Sequence, residues 1–407
     1  MNHILAMVLA GGRGTRLGPL TQDRAKPAVP FGGEFRIIDF VINNLINSGI
    51  FKIKVLTQFK ADSLICHLHD AWNLSRMLGH YVDCVPAQMR TGQTWFTGTA
   101  DAVYQNIYHI EREKPPLVAV FGGDHVYKMD VKQVVDFHFA RNAEVTVCAI
   151  PRPIYEAGQF GILEVDGEDR VVGFEEKPAQ PKPMPDHPDQ VYVSMGNYLF
   201  ETEVLLEVLK EDALDRGSSH DFGKDILPKL IRSRRVYAYD FNRNVVPGMT
   251  PRERGYWRDV GTVDCYMEAN MDLRSVDPVF NLYNRQWPMR TAAKSRPPAK
   301  FVFAQEAGRR GVALDSLVSG GVIISGSLVQ NCIICPDVFI HSYSKIYDSI
   351  IMHGVDIGRG CNIRRAIIDK GVHVPPGTTI GFDAAADKER FFVSPSGVVV
   401  IGKDYAW

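Results

Sequence analysis

The sequence has no apolar run long enough to cross a bilayer. Its first, Ile4 to Ala10, is far short of the ~20 residues a spanning helix needs, and no basic leader precedes it. A chain without membrane contact, working in the cytoplasm, is therefore expected. Net charge is lacking too. Lys and Arg total 46 against 47 Asp and Glu, so no global field draws in nucleic acid or an anionic membrane. Any anionic ligand must be met by local groups of Arg and Lys. Cysteine is scarce and odd in number, seven scattered along 407 residues, which fits a reducing compartment rather than a disulfide framework. Cys332 and Cys335 form a Cys-x-x-Cys with only Cys361 close by, one thiol short of a four-ligand zinc site, so small buried residues are the better reading. Neither Gly-x-Gly-x-x-Gly nor a Walker loop is found behind the first strand.

What stands there instead is Gly11-Gly12-Arg13-Gly14-Thr15-Arg16-Leu17, directly after the aliphatic run that ends Leu9-Ala10. The run reads as a strand buried on both faces of a parallel sheet. The glycines let the backbone approach a ligand, and free N–H groups beside Arg13 and Arg16 make a phosphate cradle. The segment Pro19 to Gly33 is too rich in Pro and Gly for a long helix and reads as an ordered active-site loop, with Lys26 a natural phosphate ligand. A helix is expected over 35–48, a strand over 53–57 and a helix over 62–73, an alternation that points to a parallel sheet.

A second buried strand, Leu117 to Phe121, ends in Gly122-Gly123-Asp124-His125. Ligands bind at the carboxyl edge of such sheets, and a carboxylate beside a triphosphate serves chiefly as a Mg²⁺ ligand. Asp259, in Trp257-Arg258-Asp259-Val260-Gly261, supplies a second. Gln88 offers an amide to a nucleobase edge, and Gly98, before Thr99, lets a flat ring lie on the backbone. A hairpin turning near Asp166-Gly167 carries Phe160-Gly161 on one arm and Phe174-Glu175-Glu176-Lys177 on the other. Glu176 suits sugar hydroxyls and Lys177 a sugar phosphate; Ser194, Tyr198 and Asp221 are further candidates for sugar contact.

Past a Pro-, Arg- and Asn-rich connection, 276–300, the periodicity changes. Val322, Leu328, Ile334, Ile340 and Ile346 recur every sixth residue, then Ile351, Ile357 and Ile363, then Ile368, Val374 and Ile380, each set shifted by one. Six-residue steps with an aliphatic at each corner predict a parallel β-helix of hexapeptide coils over 301–407, and each slip predicts a bulge or loop.

Together these motifs resemble the ADP-glucose pyrophosphorylase (glucose-1-phosphate adenylyltransferase) family along nearly the whole chain. Arg24-Ala25-Lys26-Pro27-Ala28 and Phe35-Arg36-Ile37-Ile38-Asp39-Phe40 are the most specific part. The resemblance implies an α/β, Rossmann-like nucleotidyltransferase domain over 1–275, with a mixed, mostly parallel sheet, and a left-handed C-terminal β-helix. It implies transfer of the adenylyl group of ATP to glucose 1-phosphate. Arg13 and Lys26 would hold the triphosphate, with Leu9, Ala10, Gly11, Gly12, Gly14, Thr15, Gln88, Gly98 and Thr99 around ATP. Asp124 and Asp259 would hold Mg²⁺, and Lys177 the glucose phosphate, with Gly161, Glu176, Ser194, Tyr198 and Asp221 about the sugar. It further implies a homotetramer, activated by a sugar phosphate and inhibited by AMP or phosphate, an anion bridging Arg24 and Arg36 to Arg364 and Arg365. Phe96 stands where the family usually has Tyr; Asp23 and Glu34 stand where many bacterial relatives carry basic residues. Competing readings are a nucleotidyltransferase for UTP, dTTP or GTP, a silent regulatory subunit, and a hexapeptide acyltransferase using His341, His353 or His373.

Overall fold

In the computed structural model, residues 3–90, 94–184, 187–305 and 308–407 are described. Strand Leu5–Ala10 lies at the middle of a nine-stranded mixed sheet, parallel to Lys52–Thr57 on one side and Leu117–Gly122 on the other. Tyr81–Pro86 continues the parallel half as an edge. On the far side the long strand Gln190–Glu201 runs antiparallel to Leu117–Gly122 and carries Val145–Pro153 and Gly161–Val165. The predicted hairpin is Gly161–Val165 against Val171–Glu176. Helices cover both faces, so Leu5, Ala6, Met7 and Val8 are wholly buried, as the unbroken aliphatic run requires.

The helix expected over 35–48 begins at Ile37 and ends at Asn47. Phe35–Arg36 is instead a short strand paired with Pro30–Phe31, and Asp39 closes the helix start by accepting the Arg36 N–H at 2.8 Å. The buried Asp39 carboxylate also accepts from His67 (2.7 Å), Trp72 (3.1 Å) and Thr291 (2.7 Å). Thr291 belongs to the connection 276–300, which is no free spacer. It lies along helix Ile37–Asn47, with Asn43 exchanging two 2.8 Å bonds with the Arg290 backbone and Phe280 and Trp287 buried.

The C-terminal region is a left-handed parallel β-helix with three sheets. Ile346 pairs with Ile363 and Ile363 with Ile380, so a coil is 17 residues, one short of three hexapeptides. The slips in the pattern are this missing residue, and they fall at one corner of the coil. There Asp315, Asn331, Asp348 and Arg365 stack, all with positive φ, closing the tighter turn. Because of that shorter step Leu328 faces partly outward and its neighbour Val329 fills the core. Inside the corners Ser327, Ser344 and Cys361 form a ladder: Ser344 and Cys361 N–H groups donate to the hydroxyl one coil below. Cys332 and Cys335 are buried in the same way, and their thiols are pushed up by burial.

The two regions share a core. Leu17 and Leu20, from the 3₁₀ segment Thr15–Thr21 behind the glycine loop, pack with Ile333, Ile350, Ile367, Val398 and Val400 of the β-helix. No helix among the described residues is long and apolar enough to cross a membrane.

Candidate active site

A cleft of about 700 Å³ opens at the carboxyl ends of Leu5–Ala10 and Leu117–Gly122. At its base the Lys26 ammonium lies 3.0 Å from Asp124 Oδ2 and 2.6 Å from Asp259 Oδ1. Three separate stretches build this knot. Gly14, at φ 66°, lets Lys26 lie against the loop, since a Cβ there would stand 2.7 Å from the Lys26 Cβ. Asp124 follows the strand Leu117–Gly122 by two residues, across a turn where the Gly123 N–H donates to the Leu9 carbonyl at 3.0 Å. Asp259 comes alongside because Trp257–Asp259 pairs antiparallel with His125–Tyr127, setting Asp259 opposite His125. Arg16 adds a guanidinium 3.6 Å from Asp259.

The charges fix one another. Burial opposes ionisation of Asp124, but Lys26 and His125 outweigh it and hold the carboxyl well below the usual range. Burial likewise opposes the Lys26 charge, and the two carboxylates raise its pKa despite that. Asp124, His125 and Asp259 can bring one ligand atom each within 4.8 Å of one another, and the two carboxylates already embrace a single cation, the Lys26 ammonium. Two carboxylate oxygens beside a glycine loop are a donor set that could hold Mg²⁺ if phosphate oxygens completed its shell.

The opposite wall is more open. Gly161 pairs with Glu176, and a Cβ on it would meet the Phe174 ring at 2.4 Å and Glu176 Oε2 at 2.8 Å. Lys177 leaves the strand at φ 48°, with its N–H donating to the Phe160 carbonyl and its ammonium 3.4 Å from Glu176 Oε1. Its side chain is 59 % exposed to the cleft. Gln190–Glu201 bulges between Ser194 and Tyr198, which turns both toward the cleft. Asp221 accepts from Thr99 Oγ1 (2.9 Å) and, at its other oxygen, from the Gly223 and Lys224 N–H groups. Thr99 and Asp221, expected on ATP and on sugar, thus also tie the two sides of this end together.

Leu9, Gly11, Gly12, Gly14, Thr15, Lys26, Gly98, Thr99, Asp124, Gly161, Glu176, Lys177, Ser194, Tyr198, Asp221 and Asp259 all line this cleft. Three residues expected around ATP do not. Ala10 is buried in its strand. Arg13 is exposed, its guanidinium resting 5.2 Å over the Phe59 ring, a cation–π contact. Gln88 follows the edge strand and faces a separate recess with Trp72, Tyr81 and His109. The glutamine that does line the cleft is Gln58, just past strand Lys52–Thr57. Its amide accepts from the Phe96 N–H at 2.7 Å and donates to the Phe96 carbonyl at 3.3 Å, fixing the aromatic loop. The only signal for it is position, immediately after a parallel strand.

The expected meeting of four arginines does not occur. Arg24 is buried against Asp369, and Arg36 donates to the Ser63 carbonyl at 2.5 Å. Lys370 joins them: burial, Arg24 and Arg36 push its ammonium down to about 7. Arg364 and Arg365 belong to another corner of the coil, beside Asp348 and Ser396.

A mixed, mostly parallel sheet with a glycine loop at its edge, a lysine between two carboxylates, and an attached β-helix defines a nucleotidyltransferase carrying hexapeptide repeats. The nucleotidyl transferase family profile matches residues 5–276, and that of the GlmU-like C-terminal hexapeptide matches 297–401. The chain is 55 % identical over 405 residues to the glucose-1-phosphate adenylyltransferase of Anaeromyxobacter sp. (strain Fw109-5), covering 99 % of this chain and 98 % of that protein. Likeness to the enzyme of the same name from Corynebacterium jeikeium (strain K411) is 50 % over 404 residues, with the same coverage. The chain belongs to the glucose-1-phosphate adenylyltransferase family.

Proposed function

We propose that the chain transfers the adenylyl group of ATP to glucose 1-phosphate, giving ADP-glucose and pyrophosphate, the step that commits glucose to α-glucan synthesis. The observation that carries this is one cleft with a cationic and carboxylate knot at the glycine loop and a Glu176–Lys177 pair on the facing wall. A phosphate oxygen of glucose 1-phosphate attacks the α-phosphorus in line and pyrophosphate leaves from the far side. That oxygen is anionic at neutral pH, so no base is required, and the protein's work is positioning and charge neutralisation. The N–H groups of 11–15 cradle the leaving phosphates, with Lys26 and Arg16 neutralising them. Lys177 holds the sugar phosphate, while Glu176, Ser194 and Tyr198 orient the ring. Asp124 and Asp259 would hold Mg²⁺, which would offset triphosphate charge, while Lys26 stays beside them as a fixed cation.

Regulation is read at Arg24, Arg36 and Lys370, three basic residues, Arg24 paired with Asp369, where the β-helix meets the loop bearing Lys26. A sugar phosphate bound there activates; AMP or phosphate inhibits. A tetramer is the assembly this reading carries. The test is pyrophosphate release from glucose 1-phosphate with ATP, UTP, dTTP and GTP in turn. ATP should dominate. Equal or faster turnover with another nucleotide overturns the adenylyl assignment, and no turnover with any leaves the silent-subunit reading standing.

A further inference from the structure

The split of the four arginines leaves a pair unexplained. Arg364 and Arg365 line a recess of about 280 Å³ between helix Val263–Asp272 and the β-helix, together with Arg274, Asp264, Glu268 and Asp348. Met267, Met271 and Val398 form its apolar wall. The charges balance in number but not in engagement. Asp264 Oδ1 accepts from the Ser394 and Ser396 hydroxyls at 2.5 and 2.7 Å, and Asp348 Oδ1 accepts from Asn331 at 3.1 Å. Glu268 is exposed.

The guanidinium groups are poorly occupied by comparison. Among the described residues no carboxylate lies within 4.0 Å of Arg274 or Arg365, and Arg364 reaches Asp348 only at 3.6 Å. Arg274 makes one 3.3 Å bond, to Asn331 Oδ1, and its Nε is buried with no partner. Arg365 makes one neutral bond, to Ser396 at 3.1 Å. Arg365 also holds φ 51° where the coils below place Asp315, Asn331 and Asp348, the small polar residues that tolerate that conformation. Arg364 and Arg365 are exposed and Arg274 is half-buried, and the guanidinium groups of Arg274 and Arg365 are left without a paired carboxylate; such planar donor forks are the means by which proteins take up carboxylate and phosphate.

We infer that this recess is a binding site for a small oxyanion, phosphate or carboxylate, held by Arg274 and Arg365 with Arg364 at its mouth. The volume is below that of drug-sized pockets, which suits a compact acid rather than a nucleotide. The site is separate from the Arg24–Arg36–Lys370 cluster and does not depend on it. Its reach into catalysis is short. Helix Val263–Asp272 starts four residues after Asp259, and Asp264 is the point where serines 394 and 396 tie it to the β-helix. An anion that draws Arg365 from Ser396 loosens one strand of that tie.

Calorimetric titration tests this on the full chain, with ADP-glucose present at saturation to fill the cleft. Inorganic phosphate and malonate are the two probes, so that phosphate and carboxylate selectivity are read separately. On an Arg36→Ala background, which removes the other proposed phosphate site, at least one probe should still bind, and adding Arg274→Gln/Arg365→Gln should weaken it at least ~10-fold. Arg365→Gln alone, an exposed position, carries the same sign if the double variant folds poorly. No binding by wild type, equal binding by the Arg365 variant, or loss confined to Arg36→Ala each overturns the site. Failure of ADP-glucose to bind at all would instead strike the proposed reaction.

Discussion

The two ends of the cleft are built differently. The end proposed for phosphate is an ion knot formed without substrate: Lys26 is 6 % exposed, Asp259 lies on a paired strand, and Asp124 sits in the turn between Leu117–Gly122 and His125–Tyr127. The sugar end is a hairpin arm with a solvent-facing lysine and a bulged strand. Charge developing at the α-phosphorus gains most from preorganised partners in a dry site, whereas a sugar must enter and leave. The phosphate end should therefore govern kcat and the sugar end KM.

The largest effect tests the first half of that division. Asp124→Asn removes a carboxylate held ionised by Lys26 and His125 and should lower kcat at least ~10²-fold with the fold kept, since the volume is unchanged. Steady-state rates at saturating Mg²⁺ check it, with circular dichroism as the fold control. Near-normal turnover would place the electrostatic work elsewhere. Lys177→Ala comes next and tests the second half. On the proposed reading it removes a charge-assisted contact to one substrate only, so KM for glucose 1-phosphate should rise ~10–100-fold while KM for ATP stays close to its starting value. A matched rise in both would mean that the two ends are not separable.

The contrast between the ends also marks what could be read without coordinates. That Lys26, Asp124 and Asp259 share a cleft with the glycine loop was legible because strand and glycines come before Asp124 in one contiguous signature, whereas Arg13, in the same kind of signature, lies outside the cleft. Sheet topology brings such strand ends to one edge. Gln58 and Gln88 show the limit. Both follow parallel strands, and only the edge position of Tyr81–Pro86 sends Gln88 to another recess. In the β-helix the six-residue rhythm disclosed the architecture. Which corner each arginine occupies depends on a 17-residue coil, and a pattern begun at Val322 and Leu328 misplaces it by one step. Aliphatic spacing carries no information on how a polar corner residue is turned.

A third prediction concerns Lys370. Its folded pKa, about 7, lies below its unfolded value, so the folded state binds fewer protons between roughly pH 7 and 10.4. Stability should therefore rise with pH across that window, and Lys370→Met should flatten the rise. The same titration would control the anion proposed to bind at Arg24, Arg36 and Lys370: a protonated lysine helps it, so half-maximal effector concentration should increase several-fold from pH 6.5 to 8. Effector curves at each pH, with glucose 1-phosphate and ATP saturating, give the answer. A pH-independent constant would remove Lys370 from the effector site.

The smallest effect probes the seam through which the β-helix supports the phosphate end. Gly18, in the segment Thr15–Thr21, holds φ 54° and ψ −125°, a combination that only glycine adopts readily. A Cβ there would stand 3.3 Å from the Phe392 ring of the β-helix, tighter than ordinary contact. Gly18→Ala should thus cost about 1–2 kcal/mol, most of it backbone strain. Phe392→Leu on the same background removes the ring contact and should recover only the smaller, steric share. The functional consequence separates two pictures of the seam. If it only glues the domains, the variant unfolds at lower urea with unchanged kinetics. If it positions the phosphate loop, KM for ATP rises while KM for glucose 1-phosphate does not, because Leu17 and Leu20 of this segment pack on Ile333, Ile350 and Val400 and the sugar wall shares none of those contacts. A rise in the glucose 1-phosphate KM alone would break the division between the two ends from its structural side.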